Sequence, residues 1–436
     1  MNPRFSKLMS NIANLKKVHM IGIGGIGMSA LAQYLLDQGA QVTGSDREPS
    51  PVTELLEQKG IRVLLEQKAE NVPDDTELVI YSEAVWEDNP ERMRAKELGI
   101  REQSYFEALG DISAGKRTVA VAGTHGKTTT TGMLARILRD AGASPTAIVG
   151  SLVRDFGSNY LAGESDWFVV EACEYKEDFL TLSPEVLVIT NLEFDHTDYY
   201  RDLEHVQSAF RALAEKVPAT GTIVTNPDDP NIAPVLAGLP ATIIDYTKEA
   251  GYPTKFPGEF NLMNARAATA ASRIVVPGIS EDVLRDSLTA FEGTWRRFEY
   301  KGKTAKGADV YDDYAHHPTA IRKTLTELRK KTSGKVFVAF HPHLYSRTRD
   351  LLPEFATAFT GVDEVIIAPI YAAREIDDGT VSNASLAERI GKSGVHARFG
   401  TFVEIETILR SEPGEGDIVM TMGAGDIYKV ADQLVA

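Results

Sequence analysis

The chain has 436 residues, 43% of them hydrophobic and 25% charged, with a formal net charge of -16; that is too long for one core of ordinary size and fits about three domains of roughly 150 residues each. No run reaches the ~18 apolar residues of a membrane span, Met1 to Lys17 lacks a signal-peptide core, and the acidic balance opposes nucleic-acid binding, so a cytoplasmic protein with no membrane and no nucleic-acid partner is expected. The single cysteine, Cys173, excludes an internal disulfide and a multi-cysteine zinc site.

Val18 to Ile21 reads as a strand that runs into glycines and then into the helical pattern Met28, Leu31, Leu35, with another strand from Gln41 to Thr43. Strands at Arg62 to Leu64 and Leu78 to Tyr81 and a helix at Glu91 to Leu98 complete a parallel α/β unit ending near Gly110. Gly22, Gly24 and Gly27 form GxGxxG between strand and helix, with Asp46 further on. That layout offers backbone N–H groups and a helix N-terminus to a pyrophosphate and an acid to a ribose or base. By itself it does not separate a nicotinamide cofactor from another pyrophosphate ligand, nor either from glycines that merely pack a tight turn.

A second unit begins at Thr118, where Val119 to Ala122 forms a buried strand before Gly123-Thr-His-Gly-Lys-Thr-Thr129 and the helix Thr128 to Ala141. The glycines let backbone curl around phosphate oxygens, Lys127 adds a point charge at the β and γ phosphates, and the Thr128 hydroxyl suits magnesium. Val121 stands where the general phosphate-loop consensus has glycine, so the loop is a shortened variant. Glu171 and Glu174 follow the strand Trp167 to Val170, and Asp195-His196 follow the strand Val186 to Thr190. In a parallel sheet these strand ends share one edge with the loop, where carboxylate and imidazole suit a divalent cation; surface acids at strand ends are the bland alternative. Cys173 reads as a small side chain filling a strand end, not a nucleophile. After the turn Pro257-Gly258, an alanine-rich helix from Asn261 to Val275 closes this unit.

The third unit starts around Gly293, with strands at Asp309 to Tyr311, Val336 to Ala339, Val365 to Ala368 and Ile418 to Thr421 in a parallel or mixed sheet. It holds Arg296-Arg297-Phe298, then Asp312-Asp-Tyr-Ala-His-His-Pro318, then His341-Pro-His-Leu-Tyr-Ser-Arg347. His125, His196, His316, His317, His341 and His343 fall in the motif segments; for any one of them a hydrogen-bonded structural role weighs as much as a catalytic one.

Taken together, these segments resemble the Mur ligases, whose shared pattern is GTxGKT, a later glutamate, a strand end running from asparagine to histidine, paired asparagines, an arginine and an aspartate. The resemblance spans nearly the whole chain. It implies an α/β protein of three domains: a Rossmann-like UDP-sugar-binding domain over 1–112, a central P-loop-type ATPase domain over 113–292 and a C-terminal Rossmann-like amino-acid-binding domain over 293–436. It carries ATP and Mg2+ onto this chain as cofactors. Lys127, Glu171, His196, Arg297, Asp313, His316 and Arg347 become the candidate catalytic groups. Gly123, Thr124, His125, Gly126, Lys127, Thr128, Thr129, Asn261, Asn264, Arg297 and Asp313 would hold ATP, and Thr128, Glu171 and His196 the metal. Gly22, Gly24, Gly25, Gly27, Asp46 and Ser82 would bind the UDP-sugar, and Tyr314, His316, His343 and Arg347 the amino acid, with Arg347 as a guanidinium fork on its carboxylate.

Within the family, GIGGIGMSALA, EACEY, DDYAHHPT, PHLYSRT and MGAGDIY look like the branch that joins L-alanine to UDP-N-acetylmuramate. The stretch His196 to Glu215 has no lysine, whereas several sister ligases carry a carbamylated one there. Leu344 replaces an arginine of some relatives, Phe260 stands where histidine often precedes the first asparagine, and Asn226 to Gly258 is short for the family. The resemblance implies a monomer or weak homodimer. A branch adding the tripeptide L-Ala-D-Glu-meso-diaminopimelate is the near alternative. A nicotinamide dehydrogenase, which would explain Gly22 to Asp46 and nothing later, and a noncatalytic UDP-sugar sensor are remote ones.

Overall fold

The computed structural model describes residues 12–373 and 375–435; the reading of Met1 to Lys17 falls largely outside them. Three sheets succeed one another along the chain. The first contains β1 (Lys17–Ile21), β2 (Gln41–Ser45), β3 (Arg62–Leu64), β4 (Leu78–Tyr81) and β5 (Arg101–Ser104), all parallel in the order β3-β2-β1-β4-β5. Its helices are α1 (Ile26–Asp37), α2 (Pro51–Gln58), α3 (Pro90–Leu98) and α4 (Tyr105–Ala114). Local chemistry starts and stops them: Ser50 and Thr53 cap α2 reciprocally with Pro51 in its first turn, and left-handed Gly99 ends α3. Glu91, fully buried, accepts from Ser45 Oγ at 2.6 Å, Asn71 Nδ2 at 2.6 Å and the Lys68 amide at 3.2 Å, and so ties α3 to the sheet.

The second sheet contains β6 (Arg117–Ala122), β7 (Thr146–Val153), β8 (Ser158–Leu161), β9 (Trp167–Glu171), β10 (Val186–Ile189), β11 (Thr222–Thr225) and β12 (Thr242–Asp245), in the order β12-β11-β10-β6-β9-β7-β8. Only the β7–β8 pair is antiparallel. With it go α5 (Lys127–Asp140), α6 (Leu203–Ala214), α7 (Ala233–Leu236), α8 (Glu259–Val275) and α9 (Glu281–Ala290). The central strands carry apolar runs, complete in the wholly buried β10, because a parallel sheet is covered on both faces.

The third sheet contains β13 (Glu299–Lys303), β14 (Asp309–Asp313), β15 (Val336–His341), β16 (Glu364–Ile367), β17 (His396–Phe399) and β18 (Ile418–Gly423), in the order β13-β14-β18-β15-β16-β17 with β13 antiparallel. Its helices are α10 (Pro318–Arg329), α11 (Tyr345–Asp350), α12 (Leu352–Ala358), α13 (Asn383–Gly391), α14 (Phe402–Ser411) and α15 (Tyr428–Val435). Val336, Val338 and Phe340 point into one core with Ile321, Leu325 and Phe355, while Phe337 and Ala339 enter a second core with Val419 and Leu434. That alternation is the two-residue period of a strand.

By packing, the chain forms two compact units. One runs up to Leu192 and adds Val206–Lys255 and Leu262–Glu292, so the first two sheets share it; the other joins Glu193–His205 and Phe256–Asn261 to the chain from Gly293 on. No helix among the described residues is long and apolar enough to cross a membrane.

Candidate active site

In the first unit, both glycine loops lie at the C-terminal end of a central strand whose neighbours on its two sides lead away in opposite directions, the position where open α/β sheets take ligands. After β1, the amides of Gly22 and Ile23 donate to the Ser45 carbonyl at 2.8 and 3.0 Å, and Gly25 donates to the Gly22 carbonyl at 3.1 Å. Gly22 has φ +78°, and a Cβ there would stand 3.0 Å from that of Ser82, at the end of β4. A Cβ on Gly27 would enter the Tyr105 ring at 2.6 Å. Asp46, expected to face a ribose or base, is turned onto the loop: Oδ2 accepts from the Gly24 amide at 2.8 Å and Oδ1 from the Arg47 amide at 2.7 Å. Its structural task here is to shape the turn.

The phosphate loop follows β6 and opens α5. Gly123 has φ +133°, and a Cβ would reach within 2.0 Å of Thr190 Oγ1; Gly126 has φ +83°, and a Cβ would reach within 2.3 Å of Asn264 Oδ1. Both glycines are thus required by backbone conformation and by close approach. Thr124 donates its amide to the Asn191 carbonyl at 3.1 Å, the His125 amide donates to Asn191 Oδ1 at 3.0 Å, and the His125 carbonyl accepts from Thr190 Oγ1 at 2.6 Å and Asn191 Nδ2 at 2.9 Å. Thr190 and Asn191 at the end of β10 therefore hold the loop open. Neither was singled out from sequence, although Asn191 begins the segment that ends in His196.

Lys127 Nζ lies 2.8 Å from Glu174 and donates to the carbonyls of Gly123 and of Thr124, the latter at 3.2 Å. Burial works against its charge, but Glu174 outweighs that and holds the ammonium above its ordinary value. Thr128 Oγ1 donates to Glu171 Oε1 at 2.9 Å, and Glu171 Oε2 accepts from the Gly150 amide at 2.7 Å. Thr129 is buried in the same first turn of α5. A hydroxyl and a carboxylate oxygen side by side are hard oxygen donors of the kind magnesium takes. Burial pushes the Cys173 thiol up to about 12, which leaves it a protonated filler, in keeping with its sequence reading.

In the second unit, Asp195 Oδ1 collects Arg347 Nε and Nη2, both at 2.9 Å, and the His196 amide at 2.6 Å. His196 has φ +53°, a strained backbone for a residue with a Cβ. Burial acts to raise the Asp195 carboxyl, yet Arg347 and the neighbouring histidines hold it well below the ordinary carboxylate value. Arg347 is 1% exposed, and its Nη1 lies 3.0 Å from His343 Nδ1. Arg347, expected from the resemblance as a guanidinium fork on the amino acid's carboxylate, has its Nε/Nη2 edge on Asp195 and is buried, and a buried guanidinium requires such a counter-charge. Leu344, the departure noted in sequence, is 1% exposed at φ +69°.

Next to this pair, the His316 and His343 rings lie 5.8 Å apart, and Tyr314 meets His316 edge-on at 5.4 Å while its carbonyl is 3.0 Å from His316 Nδ1. His343 also stacks on Tyr371 at 5.6 Å. His317 caps α10, its Nδ1 accepting from the Thr319 amide at 3.3 Å. Asp313 accepts the amides of Phe298 and Ala315, both at 2.7 Å. Of the two adjacent arginines, Arg296 is structural, bound to Asp312 at 2.8 Å and to the carbonyls of Gly423 and Gly425. Arg297 instead lies over the Tyr314 ring at 5.1 Å. Asn261 Nδ2 donates to the Pro257 carbonyl at 2.9 Å, and Phe260 packs against Gly258.

Burial, with Arg347 adding to it, depresses His316 well below its ordinary 6.5, and burial lowers His341 to about 4. In the window between the folded and ordinary values the unfolded chain binds more protons, so stability rises with pH and is lost as pH falls below 6.5. Asp312 and Asp313, held above the ordinary carboxylate value by burial, add the opposite slope. The clean readout is therefore a difference. Between about pH 7 and pH 5, His316→Phe is expected to remove part of the wild-type loss of urea stability, at most about 1.4 kcal/mol per pH unit. Identical slopes in the two proteins would show that His316 takes up its proton without cost.

Family models match this chain in three successive stretches: residues 17–117 match the Mur ligase family catalytic domain, 121–252 the Mur ligase middle domain, and 296–425 the Mur ligase glutamate ligase domain. A UDP-N-acetylmuramate--L-alanine ligase from Clostridium kluyveri is 40% identical over 447 aligned positions, covering 96% of this chain and 97% of the relative. Another, from Clostridium acetobutylicum, is 37% identical with 97% and 98% covered. Among solved structures, UDP-N-acetylmuramate-alanine ligase from Thermotoga maritima superposes with a TM-score of 0.80 at 29% identity, over 96% of this chain and 98% of that one. A murein peptide ligase from Psychrobacter arcticus gives 0.74 at 25% identity, over 97% and 100%. With a glycine loop opening α5, a lysine held in it, a hydroxyl–carboxylate pair beside it and family models matching all three sheets, the chain belongs to the Mur ligase family.

Proposed function

We propose that this chain joins L-alanine to the lactyl carboxylate of UDP-N-acetylmuramate at the expense of ATP, forming ADP and phosphate, in peptidoglycan precursor synthesis. The observation that carries the reading is the Lys127–Thr128–Glu171 arrangement in a chain that aligns end to end with L-alanine ligases. A carboxylate at neutral pH is a poor acylating agent, so the γ-phosphoryl group must first pass to it, giving an acyl phosphate that the amine of alanine attacks with loss of phosphate. Transfer of this kind depends on positioning and charge neutralisation. Lys127 supplies a fixed positive charge, and the amides of the loop that opens α5 face the phosphates. Thr128 and Glu171 would hold Mg2+, with His196 added by the family resemblance; when bound, the ion neutralises charge on the phosphate oxygens.

The glycine loop after β1 takes the UDP pyrophosphate in this reading. Asn264, Asn261, Arg297 and Asp313 serve ATP, as the resemblance assigns. Tyr314, His316 and His343 form the polar wall proposed for the amino acid, with Arg347 acting behind them through His343. The domain limits 1–112, 113–292 and 293–436 and a monomeric or weakly dimeric state working in the cytoplasm complete the proposal. A dehydrogenase built on the first loop would leave the second sheet without a task.

The test is phosphate release from ATP and Mg2+ with UDP-N-acetylmuramate, adding L-alanine in one reaction and L-Ala-D-Glu-meso-diaminopimelate in another. Release with L-alanine and a product heavier by one alanyl residue is expected. Release with the tripeptide alone would assign the chain to the tripeptide-adding branch.

A further inference from the structure

Helix α1, which begins at the first glycine loop, is gripped in its opening turns by the β7–β8 hairpin, part of the sheet that carries the phosphate loop. Asn159 in β8 donates through Nδ2 to the Ile26 carbonyl and to Ser29 Oγ, the latter at 2.9 Å, and its Oδ1 accepts from Gln33 Nε2 at 3.0 Å. Ser158 Oγ donates to Gln33 Oε1 at 2.8 Å. Ser29 and Asn159 are 0% exposed and Gln33 is 1% exposed. Tyr34 and Tyr160 close the flank of this cluster edge to face at 6.4 Å.

A buried amide needs partners for both its N–H groups and its carbonyl, and Asn159 finds all of them on one helix. Apolar side chains would pack there too, but they would let the helix slide along its axis; directional bonds fix its position. The other strand of the same hairpin reaches Glu171, the carboxylate proposed for the metal, since the Gly150 amide donates to Glu171 Oε2, and a Cβ at that glycine would stand 2.3 Å from the oxygen. Glu171 in turn accepts from Thr128. One hairpin therefore touches both the start of the pyrophosphate-cradling helix and the carboxylate beside the phosphate loop.

We propose that the β7–β8 hairpin sets the distance between the UDP-sugar cradle and the Thr128–Glu171 pair, with Asn159 as its positioning residue. The inference rests on the ligase reading: the sugar's carboxylate must arrive in line with the γ-phosphate, and a displacement of about 1 Å costs on the order of a hundredfold in rate. Asn159 touches neither reactant; it acts through α1.

The experiment compares the full-length wild type with Asn159→Leu, which keeps the bulk and removes the bonds, and with Ser158→Ala, which releases Gln33 Oε1 and the Tyr160 amide but leaves every Asn159 bond in place. KM for UDP-N-acetylmuramate, kcat and the directly measured Kd for ADP are read for each. Asn159→Leu is expected to raise the UDP-sugar KM about tenfold and to lower kcat as well, with the ADP Kd within about twofold of wild type; Ser158→Ala should move the same way by about threefold. If Asn159→Leu does not fold, Ser158→Ala alone decides. An unchanged UDP-sugar KM, or an equal weakening of ADP and UDP-sugar binding, overturns the proposal, since a merely structural bond acts on both ligands or on neither. A wild type that binds UDP-N-acetylmuramate but turns over with neither amine donor overturns the ligase reading instead.

Discussion

Lys127→Ala is expected to lower kcat for phosphate release by about a thousandfold or more while UDP-N-acetylmuramate still binds. The ammonium is held in the loop by the carbonyls of Gly123 and Thr124 and kept charged by Glu174, so it stands ready for the β and γ phosphates. A charge positioned before the reaction needs no reorganisation during it, which is why fixed donors of this kind carry factors of roughly 10² to 10⁵ in phosphoryl transfer. The variant has a second effect that must be kept apart from the first. Glu174, 3% exposed, loses its cation, and an uncompensated buried charge costs about 3 to 5 kcal/mol. The double variant Lys127→Ala, Glu174→Gln should therefore regain most of the stability and none of the rate. Calorimetric titration with UDP-N-acetylmuramate alongside the phosphate assay separates the two. A folded double variant that no longer binds the UDP-sugar would show that the first glycine loop is not its site.

Arg347→Met should destabilise the second unit by about 3 to 5 kcal/mol, a fall of roughly 10 °C in its Tm. The arginine is fully buried, and Asp195, itself buried, gathers three donors on a single oxygen. Removing the cation leaves that buried carboxylate without its counter-charge. Removing both charges, as in Asp195→Leu with Arg347→Met, exchanges an ion pair for apolar volume and should recover most of the loss. The Asp195 carboxyl lies below its ordinary value of 3.8 in the folded protein, so its contribution is fully present above that pH and fades as the pH falls through the lower, folded value. Scanning calorimetry of the two single variants and the pair at neutral pH checks this. A pair as unstable as either single variant would mean that the shape of the guanidinium, not its charge, holds the fold.

Apolar runs and punctuating glycines made the central strands legible. β3 and β4 occupy the stretches Arg62–Leu64 and Leu78–Tyr81 expected from sequence, β1, β6, β9, β15 and β18 extend those expected by one or two residues, and β10 stops one residue short, at Ile189. Apart from β3, the edge strands were not visible. β5 (REQS), β8 (SNYL) and β17 (HARF) are short and polar or half-exposed, and only pairing in the folded sheet makes them strands. The phosphate loop was legible because glycine, lysine and threonine at fixed offsets have few other uses. Thr190, Asn191 and Gly150 were not, since each works through backbone groups distant in sequence. For the same reason Arg347 could be seen to bind a carboxylate, but not that the carboxylate would be Asp195 of the same chain. Of the adjacent arginines, the geometry assigns Arg296 to structure and leaves Arg297 beside Tyr314. The three-sheet architecture was legible in the sequence, whereas the chain's path was not: between the strands of the unit that holds the first two sheets it leaves and returns twice.

That interrupted path has a consequence for biosynthesis. Asp195 and Arg347 are 152 positions apart, so at ordinary translation rates of ~5 to 20 residues per second the acid emerges from the ribosome about 8 to 30 s before its base. Throughout that interval Glu193–His205 lacks its Arg347 partner and must stay hydrated, while β10 and β11, which flank it in the chain, can already pair in the second sheet. A fragment begun at Gly293 would meet the converse problem: it would hold the arginine and lack the acid, and is expected to be insoluble for that reason alone.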